Sequence, residues 1–76
     1  MGFDLEKFVW ALAARGDEGG IACLADEVEE RGLRDAFLEL EDRLSRRFNE
    51  SNDPPDELGR ALDVCQRVRY LLWPVP

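Results

Sequence analysis

Cys23 and Cys65 are the only thiols in the sequence, they stand 42 residues apart, and there is no histidine to activate them. A Ser-His or Cys-His nucleophile pair, a histidine general base and a histidine-ligated metal are all excluded on that count. Two thiols alone do not complete a tetrahedral zinc site, so no metal is expected. Cys65 falls on the apolar stripe of a helix and Cys23 borders one, so both read as small core hydrophobes. The other reading of the pair is a disulfide, which the lack of an export signal disfavours.

Carboxylates are the other reactive stock, and the run Asp26-Glu27-Val28-Glu29-Glu30 gathers four of them. Successive helical side chains point about 100° apart, and no Asp-x-Asp-x-Asp-Gly loop is present to collect oxygens around calcium. The run therefore reads as a solvated acidic face. Gly16-Asp17-Glu18-Gly19-Gly20 has glycines but neither the Lys-Ser/Thr of a phosphate loop nor a strand before it, so it reads as a helix-helix connection. No catalytic residue and no cofactor site emerge, and a chain this small has little room for a concave pocket. The expectation is a protein that is not an enzyme.

Apolar residues recur at helical intervals in four segments. Leu5, Phe8, Val9 and Leu12 share a face, with Asp4 as N-cap and Gly16 as stop. Ile21, Leu24, Ala25 and Val28 make a second stripe. Leu33, Ala36, Phe37, Leu40, Leu44 and Phe48 make a third, rotated by roughly 120° from the second on one continuous wheel. Gly32 therefore marks a break, a bend or a change of facing, and residues 21–49 form either one helix or two. In Ser51-Asn52-Asp53-Pro54-Pro55-Asp56, Asp53 reads as a cap and Pro54 as the first helical residue. Leu58, Ala61, Leu62, Cys65, Val68 and Leu72 then share a face, and Pro74 ends the helix. No segment alternates with a period of two. The fold expected is all-α, a bundle of three to four helices in a single domain, residues 1–76, with helices near 4–15, 20–31, 33–49 and 54–72.

The chain of 76 residues carries 17 acids and 10 bases, net −7, with a pI near 4.4. Residues 1–30 hold eight acids against two bases, and residues 31–76 hold nine against eight. Backbone phosphates are held by lysine and arginine displacing counterions, so direct nucleic-acid binding is disfavoured. No apolar run is long enough to cross a bilayer, and MGFDLEKF has acids where a secretory signal needs a basic start, so a cytoplasmic location is expected. On the third segment Glu39 to Arg43, Asp42 to Arg46 and Arg46 to Glu50 have the spacing of a salt-laced solvated face.

What remains is surface. On the last helix Arg60 and Arg67 point away from the apolar stripe, with Asp63 and Tyr70 beside them and Trp73 at the end. Arg69 lies nearer the stripe, where its head can reach a carboxylate of another helix. Arg, Tyr and Trp are enriched at binding hot spots, and Trp10 joins them because its helix directs it off the core face. Arg60, Arg67, Tyr70, Trp73 and Trp10 are thus the candidate partner-binding residues of an adaptor, assembly factor or small inhibitor that docks on another protein. The competing role for the tryptophans is structural, Trp10 sealing the core edge against Trp73. Two alternative functions stand beside this one. Asp26, Glu27, Glu29 and Glu30 form an acidic face able to mimic nucleic-acid charge, and a homodimer would bury Trp10 and Trp73.

"LADEVEERGLRDAFLELEDRLSRRF" followed by "ALDVCQRVRYL" resembles the C-terminal helical domain of HscB-type iron-sulfur co-chaperones, over about residues 5–72, with the specific part in Arg67-Val68-Arg69-Tyr70-Leu71. The J domain of that family, with its His-Pro-Asp signature, does not stand in this sequence. The resemblance implies a surface that binds a scaffold protein, without the half that stimulates a partner chaperone.

Overall fold

A computed structural model describes residues 3–16 and 18–74. Four α-helices follow in chain order, α1 Leu5–Arg15, α2 Glu18–Arg31, α3 Arg34–Glu50 and α4 Asp56–Leu72, with no strand among the described residues. The all-α bundle expected from the periodicity is the fold observed.

Each boundary has a local cause. The Asp4 carboxylate accepts the Lys7 backbone N–H at 3.2 Å, giving one orphan donor of the first turn a partner. Gly16, at φ 64°, closes α1 by donating its N–H to the Leu12 carbonyl at 2.9 Å. Gly32 answers the question of one helix or two. At φ 66° it donates to Glu29 O at 3.3 Å while Leu33 donates to Val28 O at 2.9 Å, the paired bonds of a glycine-closed helix end. The chain therefore turns there, and the 120° offset between the stripes is taken up by two separate helices.

Two boundaries differ from expectation. α2 is already helical at Glu18, so Gly19 and Gly20 belong to its first turn and not to the connection; Asp17 lies outside the described residues. α4 begins at Asp56, with Pro55 at the N-cap (φ −63°, ψ 147°) and no side-chain cap, so Asp53 does not cap and Pro54 is not helical. The reason is the proline pair. A residue that precedes proline is driven out of the α region, so Pro54 must stay extended before Pro55. Asp56 and Glu57 then occupy the first turn, where acidic side chains meet the positive end of the helix dipole.

α4 is the hub, packed against each of the other three helices. Its buried side chains are mostly small or β-branched (Ala61, Val64, Cys65, Val68), which lets three neighbours approach it closely, with Leu58 and Leu72 filling the ends. Around it Val9, Leu12 and Ala13 of α1, Ile21, Leu24, Ala25 and Val28 of α2, and Phe37, Leu40 and Leu44 of α3 complete one core, with no fully buried polar residue among the described residues. The second stripe is buried as read. In the third, Ala36 faces outward beside the fully buried Phe37, and Phe48 is exposed beyond Leu44, the last buried residue of α3. Ala13 and Val64 are buried although they lay outside the assigned stripes, as befits helices touched on two sides. No described helix is long and apolar enough to cross a membrane.

Candidate functional site

Among the described residues the four large hydrophobic side chains left exposed are Leu38 (37%), Phe48 (37%), Tyr70 (66%) and Leu71 (55%), and all belong to the α3–α4 hairpin. α3 and α4 run antiparallel: Arg34 and Phe37 at the start of α3 meet Trp73 past the end of α4, while Phe48 near the end of α3 lies over Gly59 in the first turn of α4. A methyl group at Gly59 would stand 3.7 Å from Phe48 Cε2, so the ring uses the space an ordinary side chain would fill.

Between the two helices runs an open groove. Leu38, Glu41, Asp42 and Ser45 form its α3 wall and Leu62, Gln66 and Arg69 its α4 wall. A second depression lined by Gln66, Arg69, Tyr70 and Trp73 shares two of those residues and extends the groove past the end of α4. Arg69 crosses the floor to Glu41, Nη1 donating to Oε1 at 2.8 Å, which is the reach across helices expected of it. Glu41 is mostly buried, and its Oε2 accepts no hydrogen bond from the described residues.

The predicted partner-binding residues fall into three places. Tyr70 and Trp73 share the α3–α4 groove. Arg60 and Arg67 stand across α4 from it, in a crevice with Glu18, Asp63 and the edges of Leu12 and Ile21. There Arg67 is held by Glu18 at 2.8 Å and Asp63 at 3.2 Å; the Glu18 hydrogen bond and then the two negative charges keep its guanidinium above its ordinary range. Arg60 has no ion pair among the described residues. Trp10 is half-buried against the core, its indole N–H donating to Glu6 Oε2 at 3.4 Å. It is not directed into open solvent, because Arg43 of α3 also reaches Glu6, at 3.4 Å, and closes that side of α1. Nor does Trp10 stack on Trp73. The Trp73 ring stacks on Phe37 at 6.4 Å between centroids, under the Arg34 guanidinium at 5.2 Å.

The acidic face of α2 is half neutralised. Glu27 binds Arg31 at 2.7 Å and Glu29 binds Arg34 at 2.6 Å, leaving Asp26 and Glu30 exposed without an ion pair among the described residues. Of the spaced pairs read on α3, Asp42–Arg46 closes at 3.1 Å, while Arg43 turns instead to Glu6 of α1.

The two cysteines are free and unlike each other. Cys65 is buried, and burial, followed by the Glu41 charge, pushes its thiol up to about 12. Cys23 is exposed on α2 and not a core residue, since it stands just beside the buried stripe. Among the described residues no group of Cys, Asp or Glu side chains converges as a metal site.

Leu38 and Gln66 of the groove went unread because each lies off its helix's apolar stripe and neither is an arginine or an aromatic. An apolar residue standing off the stripe is itself a usable signal, and Leu38 carries it. No protein-family model, no curated protein and no solved structure matches this chain.

Proposed function

We propose that this chain is a protein-docking module, an adaptor, assembly factor or small inhibitor of the cytoplasm, whose partner lies along the α3–α4 groove. The observation that carries the reading is the placement of every large exposed hydrophobic of the described residues on that hairpin, while α1 and α2 offer none. Tyr70 and Trp73 are the aromatic anchors, Leu38 extends the apolar area, and Arg69 supplies a half-exposed guanidinium already oriented by Glu41. Such a mixture, aromatic and aliphatic anchors beside an arginine and rimmed by polar groups, is the composition of binding hot spots. The resemblance to the co-chaperone helical domain agrees with this reading, since Arg67–Leu71 contains both Arg69 and Tyr70.

Affinity capture from the native cell with wild type, Tyr70→Ala, Leu38→Ser and Arg60→Ala tests it. The reading expects a protein retained by wild type and Arg60→Ala and lost by the two groove variants. Retention by all three variants, with loss only when Asp26 and Glu30 are neutralised or salt is raised, would favour charge mimicry and defeat the reading.

A further inference from the structure

We infer that the docking element of the partner is a short amphipathic α-helix with an apolar face and a rim of lysine or arginine, laid lengthwise in the α3–α4 groove. The inference rests on the docking role proposed above and names the partner's chemistry. Shape gives the first argument. The walls present side chains at helical spacing, Leu38, Asp42 and Ser45 on one side and Leu62, Gln66 and Arg69 on the other. From Leu62 to Trp73 the groove is about 16 Å long, three helical turns at ~1.5 Å per residue. A guest helix in this groove repeats what α1 and α2 already do against the other sides of α4. The described residues offer no strand edge for β-augmentation.

Charge gives the second. On the hairpin Arg34, Arg43, Arg46, Arg67 and Arg69 are spent in ion pairs, which leaves only Arg47 and Arg60 without one among the described residues. Asp35, Glu39, Glu50, Asp53, Asp56 and Glu57 remain without one. The groove itself is lined by two carboxylates, Glu41 and Asp42, against one base, Arg69, and residues 34–72 carry nine acids against seven bases, so a basic rim is its complement. Glu41 gives the third. It lines the groove, one oxygen holds Arg69 and the other, buried, has no donor among the described residues. Arg69 is 58% exposed, and an incoming ammonium or guanidinium that displaces its head would supply the missing hydrogen bond.

The test is ¹H–¹⁵N NMR of the full chain titrated with a synthetic Leu/Lys amphipathic helix of about 14 residues, long enough to fill the groove. Two control peptides accompany it, the same helix with Glu for Lys and a Leu/Lys scramble without a helical apolar face. The expected result is perturbation at Leu38, Gln66, Tyr70 and the Trp73 indole, weakened by about tenfold or more in Tyr70→Ala and in the Glu peptide. Leu38→Ser serves as the second variant should Tyr70→Ala unfold. Perturbation confined to Asp26 and Glu30, equal binding of the scramble, or concentration-dependent shifts without peptide would each overturn the inference. Equal binding of the Leu/Glu helix at the groove overturns the basic rim and leaves the docking role standing. That role falls instead if capture is unchanged by Tyr70→Ala and Leu38→Ser.

Discussion

Replacing Trp73 by alanine should destabilise the fold by about 2–3 kcal/mol, and replacing Tyr70 should cost less than about 0.5 kcal/mol, although both aromatics line the same groove. The difference follows from what each ring touches. Trp73 stacks on buried Phe37, and an aromatic pair of that kind contributes about 1 kcal/mol beyond area burial. The Arg34 guanidinium over its face adds about 0.5 kcal/mol, and the half-buried indole roughly another 1 kcal/mol of apolar burial. The backbone bond that ends α4, Trp73 N–H to Arg69 O at 2.8 Å, survives the substitution, so the loss is that of the ring alone. Tyr70 is 66% exposed and has little packing to lose. A chain of 76 residues has about 4–11 kcal/mol of stability in total, so the Trp73 loss is large. With a urea slope of about 1 kcal/mol per molar, the midpoint should fall by roughly 2–3 M in Trp73→Ala and by less than about 0.5 M in Tyr70→Ala. Circular dichroism at the helical band reads both without relying on tryptophan emission, and Trp73→Phe should recover about 1 kcal/mol by restoring the stack. Equal losses for the two alanine variants, or no loss for Trp73→Ala, would refute this division of a packed from a solvent-facing aromatic.

The remaining predictions concern the core and the turns. At pH 8 a thiol-reactive chromogen should label Cys23 promptly and Cys65 only on unfolding, because a thiol near 12 is about 10⁻⁴ ionised there as well as sterically closed; two fast thiols in the native protein would contradict the packing. The same group makes stability pH-dependent in a definite direction. An acid whose folded value rises from 9.0 to about 12 binds more protons folded than unfolded in that window, so its contribution is intact below pH 9 and declines by up to about 1.4 kcal/mol per unit above it. Cys65→Ala should flatten that alkaline slope, and an unchanged slope would remove Cys65 as its source. Gly32→Ala should cost about 1 kcal/mol in urea melts, since no atom lies within 4 Å of the added methyl and only the φ of 66° resists it; a neutral result would mean α2 does not end there.

The architecture was legible because burial in a one-core bundle leaves a periodic trace. Asp4, Gly16 and the second stripe stand where the residues put them, and the offset stripes around Gly32 correctly marked a discontinuity. The start of α4 was misplaced by treating Asp53-Pro54 alone, when the constraint comes from Pro54 preceding Pro55. The candidate surface was legible only in part. A helical wheel assigns directions on one helix at a time, so it grouped Arg60 and Arg67 with Tyr70, whereas neighbouring helices divide α4 into separate grooves. The same limit explains Trp10, which points off its own helix's stripe but is partly buried against the core, its indole on a Glu6 that Arg43 of the third helix also reaches.

The central claim is that partners meet the α3–α4 hairpin, and site-specific photo-crosslinking in the native cell tests it most directly. A benzophenone side chain placed at position 70 or 38 should yield a discrete protein adduct, and the same group at the exposed positions 14 of α1 and 30 of α2 should yield none. Adducts from 14 or 30, with none from 70 and 38, would put the docking face on the other side of the molecule and contradict the account.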